Sequence, residues 1–215
     1  MKLYLDSAEL ETICKYMDWY QLDGVTSNPS ILKKSNCTLE AFLSTIPSTC
    51  FAQVIQTSYE GMLEDAEKIL SFRKDTIIKV PVTREGLHVI GTLHQRGVRT
   101  LATAIYHANQ AILAAKCGAD YVAPYVNRMC DLELDGVETT LAIQAAFRAS
   151  NIKCEVVAAS FKNLSQIQQL LVNGIDAVTI PLDLFDKMLD FPYTKEAVQG
   201  FAKDWHTLTG TDRIQ

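Results

Sequence analysis

The chain is poor in several features that mark whole protein classes. Basic residues are not in excess: 20 lysines and arginines face 25 aspartates and glutamates, for a net charge of −5. That balance gives no electrostatic footprint for nucleic acid, and no basic run suggests a membrane surface. No apolar stretch approaches the roughly 18 residues of a transmembrane span. The opening MKLYLDSAEL carries an acid at Asp6 and lacks the apolar core of a signal peptide. A soluble, cytoplasmic protein with no nucleic-acid or membrane partner is expected.

Metal and nucleotide motifs are also missing. The six cysteines, at 14, 37, 50, 117, 130 and 154, contain no CxxC pair, so a zinc site of ordinary spacing is not expected. Reduced, mostly buried thiols are the expectation. His88 and His94 are too far apart in phase to share a helix face, and all four histidines read as surface or packing residues. No metal and no cofactor are expected. Only ten glycines occur, and neither GxGxxG nor GxxxxGK[ST] is among the motifs. A doubly wound sheet would normally carry such a phosphate loop after an early strand.

What the chain does have is a repeated alternation of strand and helix. Candidate strands are KLYLD (2–6), GVTS (24–27), FAQVI (51–55), TIIKV (76–80), RTLATA (99–104), YVAPYV (121–126), CEVVAAS (154–160) and AVTI (177–180). Amphipathic stretches such as 59–73 and 107–118 lie between them. Ser7 and Thr83 are candidate N-caps, and Gly97, Gly118 and Gly174 fall just past helix ends. This order predicts one α/β domain over 1–215, a (β/α)8 TIM barrel, with an additional C-terminal helix at 194–210.

A barrel puts its chemistry at the C-terminal ends of the strands. Those ends supply Asp6, Thr26 with Asn28, Gln53, Lys79, Thr103, Tyr125 and Ser160. Any one polar residue there is ordinarily structural; their convergence on one rim points to a site. Lys79 stands out, because it interrupts the β-branched run TIIKVPVT. It can ion-pair with an acid such as Asp6, snorkel to the rim, or act as a nucleophile. In the last case, burial lowers the amine pKa and leaves a neutral amine able to form a Schiff base with a carbonyl.

The segments LYLDSAELE, GVTSNPSIL, FAQV, IIKVPVTREGL, YVAPYVNR, VVAASFK and PLD, in this order, resemble the small transaldolase family, and within it the fructose-6-phosphate aldolase branch. The resemblance spans Met1 to about Trp205. It implies a class I aldolase, with Lys79 of KVPVT as the Schiff-base lysine. By the same resemblance, Asp6 and Asn28 contact donor hydroxyls and assist proton handling, while Thr26 shapes its loop. Gln53 and Thr103 match residues that hold a water beside the imine, and Tyr125 the residue that relays protons through it. Arg128 and Ser160 match phosphate contacts. Lys162 reads as a solvated charge.

Gln53 separates the branches, since transaldolases have a glutamate there and usually a phenylalanine near Tyr125. A carboxylate can act as base for the water and an amide cannot. Gln53 and Tyr125 together therefore imply reversible cleavage of fructose 6-phosphate to dihydroxyacetone and glyceraldehyde 3-phosphate. The alternatives are transaldolase activity and a sugar-phosphate-binding barrel without turnover. Ser27 replaces a commoner threonine conservatively. After Arg128 the family has a glycine-rich loop, whereas MCDLELDGVETT (129–140) stands here and could reshape the acceptor end. Phe201, Trp205 and Leu208 on the last helix need a covering surface. The resemblance implies packing on a neighbouring subunit of a homo-oligomer, with decamers typical; folding back over the same barrel is the other option.

Overall fold

The run around Lys79 shows why a core strand can carry an amine. In the computed structural model, which describes residues 1–214, strand side chains alternate between two environments. Ile77 lies with the barrel-interior side chains, whereas Ile78 and Val80 lie in the layer between strands and helices. Lys79 is therefore directed inward, with 6% of its surface exposed. Ile78 and Val80 are fully buried, which contributes about 1.5–3 kcal/mol each. Their packing helps offset the cost of enclosing the lysine.

The strands are β1 (Lys2–Asp6), β2 (Gly24–Thr26), β3 (Thr49–Gln53), β4 (Ile77–Pro81), β5 (Thr100–Ile105), β6 (Tyr121–Pro124), β7 (Glu155–Ala158) and β8 (Ala177–Ile180). They close in sequence order into a barrel in which every neighbouring pair is parallel. The helices are α1 (Leu10–Trp19), α2 (Pro29–Lys34), α3 (Leu39–Thr45), α4 (Tyr59–Phe72), α5 (Arg84–Gln95), α6 (Ala108–Lys116), α7 (Val126–Cys130), α8 (Gly136–Ala149), α9 (Leu164–Val172), α10 (Leu182–Leu189) and α11 (Pro192–Thr209). The architecture is a (β/α)8 TIM barrel with a C-terminal helix. Two connections, after β2 and after β6, each carry two helices rather than one.

Several predicted bounds shift. The strand expected at 51–55 is Thr49–Gln53, that at 121–126 stops at Pro124, and that at 154–160 stops at Ala158. In the last two, the polar ends lie past the strand: Tyr125 keeps only an isolated parallel bridge to Ala159 at the N-cap position of α7, and Ser160 takes a positive φ of 62°. Thr83 caps α5 as expected, accepting from the Gly86 N–H at 2.9 Å. Ser7 does not cap α1. The N-cap is Glu9, without a side-chain bond, and the Ser7 hydroxyl instead accepts from the Glu9 N–H at 3.1 Å in a local turn.

Inside the barrel, Tyr4, Phe51 and Tyr121 pack edge to face, with centroids 5.1 and 5.5 Å apart, and plug the end nearer the strand N-termini. Above them, Ala123 and Ala159 leave the β6–β7 side open. In the 129–140 segment, Asp135 caps α8 by accepting from the Glu138 N–H at 2.9 Å. Gly136 is required where it stands, since a Cβ there would meet the Val126 carbonyl oxygen at 2.1 Å. Outside the barrel, α11 buries none of its residues: Phe201 is 71% and Leu208 79% exposed, and Trp205 is only partly covered. It does not fold back over its own barrel.

Candidate active site

A cavity of about 460 Å³ opens at the C-terminal mouth of the barrel. All nine residues singled out from the sequence line it: Asp6, Thr26, Asn28, Gln53, Lys79, Thr103, Tyr125, Arg128 and Ser160. The sheet register builds this layer. Asp6 stands beside Thr26, Gln53 beside Lys79, and Thr103 beside Pro81, so inward side chains of successive strands meet at similar heights.

Lys79 Nζ donates to the Ser27 carbonyl at 2.9 Å. Among the described residues it joins no ion pair. Burial lowers its pKa from the ordinary value, and the charge of Asp6 opposes that shift. Asp6 is displaced the other way: burial raises its pKa, against the pull of Lys79, the Thr26 hydroxyl and Arg128. Both shifts favour the neutral forms. The site thus holds an amine disposed to lose its proton and a carboxyl disposed to keep one, with space in front of them.

Asn28 has two tasks. Its Oδ1 accepts from the N–H groups of Ser30 and Ile31 at 3.0 and 3.1 Å, capping α2. The carbonyl end is thereby engaged, which leaves the amide NH2 for the cavity. Thr103 and Tyr125 share a hydroxyl–hydroxyl bond of 2.9 Å. Beside Thr103, Ala104 has φ of 60° and the β5–β6 register shifts, a bulge at the cavity rim. Gln53 bonds to no other side chain among the described residues and faces the cavity. The start of α7 is laced to the end of β7, with Val126 N–H donating to Ala159 and Asn127 N–H to Ser160, at 2.9 and 2.8 Å. This brings Arg128 to the same end of the cavity as Ser160. Its guanidinium lies 4.6 Å from the Tyr125 ring centroid, within cation–π range.

None of residues 129–140 lines the cavity; the altered segment follows Arg128 and touches the wall from behind, with the Met129 N–H donating to the Tyr125 carbonyl at 3.0 Å. Lys162 is exposed. Among the described residues, no group of three or more His, Cys, Asp or Glu side chains is arranged to hold a metal ion. No helix among them is long and apolar enough to cross a membrane.

Sequence reading missed one polar wall residue on the eighth strand. Thr179 lines the cavity, is 3% exposed, and lies 2.6 Å from the Thr26 hydroxyl. The last residue of that strand is the apolar Ile180. The signal was parity: Ala177 and Thr179 share the inward face of AVTI, and Thr179 pairs in register with Tyr4. The apolar floor of Leu101, Ala123, Val157 and Ala159 was missed as well.

Residues 3–211 match the family model described as transaldolase/fructose-6-phosphate aldolase. A probable transaldolase of Methanococcus maripaludis is 35% identical over 213 residues, covering 97% of this chain and 99% of that one. A probable transaldolase of Kosmotoga olearia is 32% identical over 209 residues, covering 95% and 96%. Solved structures share the fold alone. A soluble mutant of (S)-mandelate dehydrogenase from Pseudomonas putida has a TM-score of 0.62 at 13% identity, over 84% of this chain and 66% of the other. A flavocytochrome b2 variant has a TM-score of 0.58 at 13% identity, over 84% and 57%.

Proposed function

The chain belongs to the transaldolase/fructose-6-phosphate aldolase family of class I aldolase-type enzymes, and on that premise we propose that it cleaves fructose 6-phosphate reversibly to dihydroxyacetone and glyceraldehyde 3-phosphate. The observation that carries the reading is Lys79, an amine enclosed by apolar strands, its pKa lowered by burial, facing an open cavity.

In this reading the neutral Lys79 amine adds to the C2 carbonyl of the open-chain sugar, and uptake of one proton with loss of water leaves an iminium. A base takes the C4 hydroxyl proton, and the C3–C4 bond breaks with its electrons drawn into the iminium. Glyceraldehyde 3-phosphate departs and an enamine of dihydroxyacetone remains. Protonation at C3 and hydrolysis release the second product. Tyr125 relays protons through a water held by Gln53 and Thr103, and its bond to Thr103 supports that role. Asp6 and the free amide NH2 of Asn28 hold the donor hydroxyls, with Asp6 also moving protons. Thr26 shapes the loop that carries Asn28. Arg128 and Ser160 take the phosphate, for which the one guanidinium on the wall is suited.

Transaldolase activity is the second reading, favoured by the relatives' names. It uses the same imine but hands dihydroxyacetone to an aldose phosphate acceptor. Coupled assays with and without erythrose 4-phosphate separate the two. Transfer faster than cleavage of fructose 6-phosphate alone overturns the aldolase assignment.

The Schiff base itself is tested by borohydride reduction in the presence of dihydroxyacetone, followed by peptide mass mapping. The expected adduct is on the peptide containing Lys79. An adduct elsewhere, or none, overturns the reading. We also propose that 1–215 acts as one domain in a homo-oligomer, with the exposed apolar residues of α11 covered by a neighbouring subunit. The six free thiols suit a reducing, cytoplasmic setting.

A further inference from the structure

Three neighbouring strands, β8, β1 and β2, place Thr179, Asp6 and Thr26 in one hydrogen-bonded chain. Thr26 Oγ1 lies 2.6 Å from Asp6 Oδ1 and 2.6 Å from Thr179 Oγ1. Thr26 and Thr179 are 1% and 3% exposed, so solvent does not compete for the bond between them, while Asp6 is partly open to the cavity. We propose that Thr179 is a positioning residue that fixes which way the Thr26 proton points, and so sets how readily Asp6 gives up and takes back its proton.

In each state of Asp6 the three groups share a fixed number of protons. A hydroxyl has one to donate. An ionised Asp6 only accepts, so Thr26 donates to it, and Thr26 is then left to accept from Thr179. A protonated Asp6 donates to Thr26, which turns its own proton to Thr179. The Thr179 hydroxyl, which lines the cavity, then has its proton free to turn there. Rotation of two hydroxyls thus satisfies all three groups in both states of Asp6. Each donation strengthens the next in a low-dielectric setting. The charged groups acting on Asp6 are Lys79 from β4 and Arg128 from α7, and neither bonds Thr26 or Thr179. Without the Thr179 hydroxyl, the ionised state loses the donation that strengthens Thr26 toward the carboxylate. The neutral acid can carry its proton on Oδ2 and still accept from Thr26 at Oδ1, so the acid form of Asp6 gains.

This inference rests on the proposed acid–base role of Asp6 for its consequence in catalysis, but its test does not depend on that role. In protein labelled with ¹³C at aspartate carboxyl carbons, the Asp6 resonance is assigned by its loss in Asp6→Asn. In Thr179→Val, which replaces the hydroxyl with a methyl of similar size, its titration midpoint should move up by roughly half a pH unit or more. Thr179→Ser should return it to the starting value, and the acidic limb of kcat/KM for fructose 6-phosphate cleavage should follow the midpoint in both variants. Circular dichroism checks folding. If the valine chain fails to fold, Thr179→Ala, which leaves space rather than a methyl against Thr26, carries the same prediction. A midpoint unchanged on loss of the hydroxyl, or not restored by serine, overturns the inference. Full cleavage activity in Asp6→Asn would instead overturn the role given to Asp6, whatever the midpoint does.

Discussion

The enclosed amine of Lys79 should be visible in the pH dependence of stability. Burial holds its pKa below the ordinary 10.5. Between the folded value and 10.5, the unfolded chain binds a proton that the folded chain has released. Stability therefore rises with pH across that window, by about 1.4 kcal/mol per pH unit for one full proton, and levels off once both states are deprotonated. Asp6 behaves in the opposite sense. Its pKa is raised, so above 3.8 the folded chain holds the extra proton, and stability falls as pH rises through that lower window. The two effects are separated by working in an Asp6→Asn background. That substitution also removes the charge that favours the ammonium, so the lysine window extends further down in pH. Lys79→Met then deletes the titration while keeping a long, unbranched side chain. The measurement is urea unfolding of Asp6→Asn and Asp6→Asn/Lys79→Met at one protein concentration, from about pH 6 to about pH 11. The lysine-bearing chain should gain stability relative to the methionine chain through the alkaline window, then run parallel to it. A flat difference would mean that the amine is as protonated in the folded chain as in the unfolded one, and the nucleophile argument would lose its physical basis.

Three further outcomes are expected. Tyr125→Phe should lower kcat for cleavage by about 10²–10⁴-fold while leaving borohydride trapping at Lys79 intact; equal loss of both would assign Tyr125 to imine formation instead. Gln53→Glu should raise the ratio of transfer to cleavage, measured with and without an aldose phosphate acceptor, and an unchanged ratio refutes the branch argument. Ending the chain at Asp190 should give a smaller species by light scattering with the circular dichroism of the barrel retained, because no residue of α11 is buried in its own subunit; an unchanged mass refutes its role in assembly.

The strand–helix order and the cavity wall were legible for a common reason. Parallel strands ending at one rim make sequence position a proxy for spatial position, so reading strand ends reached Asp6, Gln53, Lys79 and Thr103 without any tertiary information. Beyond the strand ends, the proxy weakens. Tyr125 and Ser160, expected inside strands, lie just past them: Tyr125 keeps an isolated parallel bridge to Ala159 at the N-cap position of α7, and the backbone at Ser160 has already turned to positive φ. Thr179 was hidden by its neighbour, since Ile180 ends the strand but faces the helices. Ser7 has the residue type of a cap, but it stands two residues before the N-cap Glu9 and its hydroxyl is taken by a local turn. The 129–140 segment reads from sequence either as a change at the phosphate or acceptor end or as drift on a surface connection. Its side chains in fact stay out of the cavity, a matter of loop path that composition does not encode.

Ala123 lies on β6, and Ala159 sits just past the end of β7 in a parallel bridge to Tyr125. The hollow that would take a sugar is set largely by what these two positions omit, as well as by the loops around it. The strand holds the backbone at Ala123. The bridge to Tyr125 and the Ala159 N–H bond to the Pro124 carbonyl hold it at Ala159, so the depth of the hollow is as fixed as the barrel. Adding two methyl groups, as in Ala159→Val, would raise that floor and shorten the longest chain that fits, with the reacting groups above left where they are.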